Sequence, residues 1–234
     1  MFLSEIFDNL THGELAQVSL SGGKNKGIQE ADYPKIIGFV NLAMIELYKK
    51  FPIKLGTMDV QLYADITRYL LRYDYALSNT GGAEPVKYIL DSASDPFTQD
   101  VLHIERISNL DLVDIPVNKL NNTLSVFTPE YDIFTIAEPD ATDIYTIEYR
   151  AAPEKIDQFT TDPYTAYVNL PDQMMEAMLS YVAHRAFSAL PTPEPSNSAS
   201  FYTKFLAACR NIQELGLINK METENTRLDE KGFV

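Results

Sequence analysis

Apolar residues recur at helical spacing near both ends of this chain and at strand spacing between them. From Glu30 to Phe51, Ile36, Ile37, Val40, Leu42, Ala43, Met44, Leu47 and Phe51 mark one face of a helix. Lys49 and Lys50 suit its negative C-terminal end, and Pro52 stops it. A second helical region runs from Leu170 to Leu190 and, after a Pro/Ser-rich break, from Ala199 to Leu217, which predicts a hairpin. Pro171 and Asp172 open its first arm, and Met174, Met175, Met178, Leu179, Val182, Ala183, Ala186 and Phe187 form a wide apolar stripe. The segment Pro191-Thr192-Pro193-Glu194-Pro195 breaks the helix, because proline lacks an N–H and restricts the residue before it. Asn197-Ser198 or Ser200 is placed to cap the return arm, with Phe201, Phe205, Leu206, Cys209 and Ile212 facing inward. Residues 2–20 read as two short helical pieces, the second capped by Thr11 with Glu14 three residues on.

Between these helices the period falls to two. Val60, Leu62, Ala64 and Ile66 alternate with Gln61, Tyr63, Asp65 and Thr67, as in a strand with one covered face. Further strands are predicted at 86–90, 101–107, 124–127, 132–137 and 143–150. The last two flank the turn-rich stretch Glu138–Thr142 and read as a hairpin, and Asn121-Asn122 signals another turn. The expected fold class is therefore α+β: an antiparallel α-helical bundle (1–52 and 163–217), an inserted mainly-β domain (53–162) and an extended C-terminal arm (218–234). The arm is polar and charged, too poor in apolar residues to fold alone. It is either disordered or ordered against a partner.

A net charge of −14 argues against nucleic acid as the main partner, though it suits a wall past which DNA slides. Cys209 is the sole cysteine, so an intrachain disulfide is impossible, and on an apolar helix face it reads as a small buried hydrophobe. The N-terminus lacks the basic and apolar regions of a signal peptide, and no apolar run is long enough to span a bilayer. Synthesis in a reducing cytoplasm and no membrane partner are the expectations. Gly22-Gly23-Lys24 does not meet the phosphate-loop pattern and reads as a surface loop within 21–27. His12, His103 and His184 are scattered without metal-ligand spacing, and His184 is expected to point off the main stripe. No nucleophile elbow, zincin helix or dinucleotide fingerprint occurs, so no catalytic residue, cofactor or metal is expected. Tyr63, Tyr69, Tyr73, Tyr75 and Tyr88 crowd the early β-region, where they suit either a half-buried sheet surface or a protein interface.

Three stretches carry a likeness to a known family. One is the early helix Tyr33-Pro-Lys-Ile-Ile-Gly-Phe-Val-Asn-Leu-Ala-Met-Ile-Glu-Leu-Tyr48. Another is the strand-like run Ile147-Glu-Tyr-Arg-Ala-Ala-Pro153. The third comprises Leu170-Pro-Asp, Leu179-Ser-Tyr-Val-Ala-His-Arg-Ala-Phe187 and Ala199-x-Phe-Tyr-x-x-Phe205. In these stretches the chain resembles the head-to-tail adaptor (connector) proteins of tailed bacteriophages, especially the short-tailed type. The resemblance implies a non-enzymatic virion protein, made in the host cytoplasm, that forms a homo-oligomeric ring of 12 copies beneath the portal protein. It further implies a docking surface for a tail or nozzle protein and a lumen through which DNA passes during ejection without sequence-specific binding. The C-terminal arm would engage the portal, with Ile218, Met221, Leu228, Phe233 and Val234 as its apolar contacts. Two rival readings are another virion ring, such as a tail-completion or tail-terminator protein, and an α+β enzyme, which would need a deep pocket with converging polar groups.

Overall fold

A computed structural model describes residues 1–20, 26–81, 86–190 and 195–217 of the chain. It is a mixed α+β structure with four α-helices and two small antiparallel sheets among the described residues. Two units are distinguishable, one formed by residues 1–44 with those from 156 onward, the other by residues 45–155. The arm residues Ile218, Met221, Leu228, Phe233 and Val234, and most of the 21–27 loop, lie outside the described residues.

In the first unit, helix α1 (Leu3–His12) is capped by Glu5, whose Oε2 accepts the Phe2 N–H at 2.8 Å. Leu3, Ile6, Phe7 and Leu10 form its buried face. The helix stops at Gly13, whose N–H still donates to Asn9 O at 2.8 Å while its ψ of −108° has left the helical range. Thr11 therefore sits in the last turn of α1, and residues 14–17 form turns where a second helical piece was expected. A short 3-10 turn, Glu30–Asp32, leads into α2 (Tyr33–Lys50), of which the residues up to Met44 belong to this unit. Ile36, Ile37, Val40, Ala43 and Met44 are buried on it, whereas Leu42 lies on the exposed side. Asn41 supplies the polar counterpart: its side chain donates to Ile156 O at 2.8 Å and accepts the Ile156 N–H at 3.0 Å.

Helices α3 (Met175–Ser188) and α4 (Pro195–Glu214) pack against each other. Pro195 is the first residue of α4, where a proline lacks nothing the helix needs, so Asn197, Ser198 and Ser200 lie inside the helix rather than capping it. Val182, Ala183 and Ala186 are fully buried on α3, and Phe205, Ala208, Cys209 and Ile212 are buried on α4. Leu206, expected inward, is largely exposed, and Ala208 takes the inner position. Three ring contacts cross the seam: Phe187 stacks on Phe201 at 5.2 Å, Tyr181 meets Phe205 edge-on at 5.1 Å, and His184 lies tilted against Tyr202 at 5.0 Å.

The second unit holds both sheets. Strands β1 (Leu55–Gln61), β6 (Ile144–Ala151) and β3 (Val101–Asn109) form one, in the order β1-β6-β3. Strands β2 (Arg68–Leu70), β5 (Ile133–Thr135) and β4 (Phe127–Glu130) form the other, in the order β2-β5-β4. Across the first sheet Met58, Ile147 and Ile107 occupy one buried row. The strand read at 60–67 lies earlier in fact. Its pairing ends at Gln61, and residues 62–67 form a turn region closed by the Tyr69 hydroxyl, which accepts the Tyr63 N–H at 2.8 Å. Residues 86–90 contribute only bridges at Ile89, and the strand read at 124–127 starts at Phe127. The expected hairpin across Glu138–Thr142 is absent: β5 pairs with β4 and β2, while β6 belongs to the other sheet.

Val182 is wholly buried in the helical seam. Val182→Asp would place an unpaired carboxylate there, and a loss of about 4 kcal/mol or more is expected, a large part of a typical domain's stability. A thermal melt of the variant checks this; near-wild-type melting would contradict the seam.

Candidate functional site

An open groove of about 750 Å³ lies in the second unit, between the start of β1, the 90–100 segment and the end of β6. Its geometry begins with a glycine. Gly56 pairs with Tyr149 across the β1–β6 ladder, and a Cβ on Gly56 would come within 2.5 Å of the tyrosine ring. The missing side chain lets the Tyr149 ring lie over the strand, with its hydroxyl donating to Asp100 Oδ1 at 3.0 Å. Lys54 Nζ donates to Asp100 Oδ2 at 3.2 Å, so both carboxylate oxygens hold donors. Burial, with the Asp100 carboxylate beside it, pushes the Tyr149 phenol well above its usual range.

A second carboxylate in the groove, Asp91, is clamped more tightly. It accepts the Ser78 N–H at 2.7 Å, the Ser78 hydroxyl and the Phe97 N–H at 2.8 Å. Burial alone would raise its pKa. The donors outweigh that effect and hold the carboxyl below the ordinary carboxylate range. Chemically, these carboxylates tie strand ends and loops together.

The tyrosines divide by depth. Tyr69 and Tyr88 are fully buried, Tyr63 and Tyr75 pack against the same core, and Tyr73 is exposed. Tyr69 stacks on Phe134 at 4.9 Å, Tyr75 on Tyr88 at 4.8 Å, and Tyr69 meets Tyr88 edge-on at 5.1 Å. Each buried hydroxyl grips one residue's backbone: that of Tyr69 bonds Tyr63 N and O, and that of Tyr88 bonds Leu70 N and O. Burial raises both phenols above their usual range. For Tyr69 and Tyr88 the density seen in the sequence is core, and their polar tips replace ladder hydrogen bonds.

Of the histidines, His12 ends α1 and His103 is exposed on β3. His184 lies in the α3–α4 seam instead of pointing away from it, against the rings of Tyr181 and Tyr202. Its Nδ1 is 3.0 Å from both the hydroxyl and the carbonyl of Ser198, and the Ser198 hydroxyl is 2.6 Å from that of Ser188. Spacing alone could not reveal this cluster, because residues 184 and 198 meet only when the hairpin closes. Its effect is to satisfy polar groups between the helices, and it lines none of the concavities described. Cys209 is free and buried. Among the described residues no group of three or more His, Cys, Asp or Glu is placed to hold a metal ion, and no helix is long and apolar enough to cross a membrane.

No protein-family model matches the chain, and a search of curated proteins finds no match either.

The Asp91 clamp has a definite pH signature. A carboxyl whose pKa is lowered on folding stabilises the protein above its unfolded value near 4, and that contribution disappears as pH falls through the folded value. Wild type should therefore exceed Asp91→Asn in stability by a constant margin at neutral pH, with the gap closing below about pH 4. Paired denaturant titrations at neutral and acidic pH check this; a pH-independent gap would contradict the clamp.

Proposed function

We propose that the protein is a structural head-to-tail adaptor of a tailed bacteriophage: a bundle of helices interrupted by a mainly-β insert, with a C-terminal arm from Ile218 to Val234. The observation that carries the reading is the α3–α4 seam. The residues on which the family likeness rests, Tyr181, Val182, His184, Phe187, Phe201 and Phe205, are the ones that pack in it.

In this reading twelve copies form a ring under the portal. A cyclic ring uses a heterologous interface, in which two different faces of each subunit meet. The arm folds against the portal, so the interface is complete only when the portal is present, which orders assembly. The β insert offers surface to the tail or nozzle protein. A charge of −14 per subunit sets a negative field at any lumen and favours passage of DNA over adhesion. The protein is then a virion component, and its chemistry is recognition rather than catalysis.

Deleting residues 218–234 tests the arm. The truncated chain is expected to melt within a few degrees of the full chain and to lose most of its co-sedimentation with purified portal rings. Undiminished co-sedimentation would sink the docking-arm role. Electron microscopy of the full chain mixed with portal rings tests the adaptor itself. Density beneath the portal is expected, and density only at the far end of a tail tube would instead identify a terminator ring.

A further inference from the structure

The connection from β3 to β4, residues 110–126, is tied down by its own polar groups. Asn109 Oδ1 accepts the Val113 N–H at 2.9 Å, and Asn109 O accepts the Leu112 N–H at 3.0 Å. The Ser125 hydroxyl accepts the Lys119 N–H at 2.9 Å and donates to Pro116 O at 3.0 Å. Asn118 and Thr128 exchange two hydrogen bonds, of 2.8 and 2.9 Å. A segment fixed this way could turn its apolar side chains inward. Instead Leu110, Leu112, Val113, Leu120 and Leu124 are 62%, 71%, 59%, 88% and 77% exposed. Leu112 also holds a φ of +61°, a left-handed conformation unfavourable for a leucine. Strain and apolar exposure at one residue point to a surface shaped for contact.

Beside this connection lies a groove of about 390 Å³, lined in part by Val113, Ile115, Pro116, Leu124, Ile136 and Tyr145. Asp114, Glu138 and Asp143 also line it, and no lysine or arginine is among its described lining residues. Asp114 is paired with Arg106, which leaves Glu138 and Asp143, with Asp111 on the neighbouring turn, to set the charge of the rim.

We propose that this groove docks a segment of a different protein that presents large apolar side chains flanked by lysine or arginine. Charge selects the occupant. A second copy of a chain carrying −14 would bring like charge to an acidic rim, whereas a basic-flanked segment gains attraction as its apolar anchors leave water. The inference does not rest on the adaptor reading, and either can fail alone.

The test uses the full chain and two fluorescent peptides, each with a leucine and a phenylalanine anchor, one flanked by lysines and the other by glutamates. Fluorescence anisotropy should give at least tenfold tighter binding of the lysine peptide. Glu138→Lys with Asp143→Lys should weaken it at least tenfold, and Leu124→Ser several-fold; all three positions are exposed, so the fold is retained. A matched charge change in the other groove and on α4, Asp95→Lys with Glu214→Lys, should leave it within about twofold, which separates the groove from the overall field. Equal weakening by that control, no discrimination between the peptides, or binding of neither would overturn the proposal. So would a Leu124→Ser variant whose only change is a smaller sedimenting species, since the occupant would then be a second copy.

Discussion

Strand β6 has to be hydrogen-bonded along both of its edges before the longer-stranded sheet of the β unit can exist. It lies between β1 and β3, so its N–H and C=O groups are served from two sides, while each neighbour is served by β6 on one. Its residues then divide the work. Ile147 completes the apolar row with Met58 and Ile107, Tyr149 reaches the Asp100 clamp, and Arg150 pairs with Glu105 and donates to Lys49 O. Because β6 comes last in the unit, nearly all of residues 45–155 must be threaded before the sheet closes. Closure over such a distance costs entropy that grows slowly with length, but it delays the transition state.

The helical unit solves the same problem locally. Its α3–α4 seam joins segments close in sequence, and apolar packing of Val182, Ala183 and Phe205 is supplemented by the Ser188–Ser198–His184 contacts. Polar side chains in both units mostly satisfy other parts of the same chain: Asn41 serves Ile156, Asp91 serves Ser78 and Phe97, and Tyr88 serves Leu70. An interior spent this way ties distant segments of each unit together.

How much could be read from the chain varied with the range of the interaction. Helices α2 and α3 and strands β3 and β6 follow from periodicity, since one buried face imposes it directly. The misread features were decided elsewhere. Thr11 and Glu14 have a capping pattern, but the chain leaves the helical range at Gly13. Ser198 has the chemistry of a cap and is used against His184 once Pro195 has begun the helix. Pro139 and Asp140 do mark a change of direction, yet no local signal says that β6 will pair with residues 55–61. The two grooves share this limit, because each is lined by segments far apart in the sequence.

The tyrosine cluster gives the protein an optical identity. The chain has no tryptophan, so its near-ultraviolet absorption and emission come chiefly from 14 tyrosines. Tyr69, Tyr75 and Tyr88 are held at contact distance, close enough for their transitions to couple and for the ordered β unit to have its own circular dichroism. Burial also keeps the Tyr69, Tyr88 and Tyr149 phenols from ionising where exposed ones do. In alkali the chain would therefore show two populations of phenolate, the later one appearing only as the β unit opens.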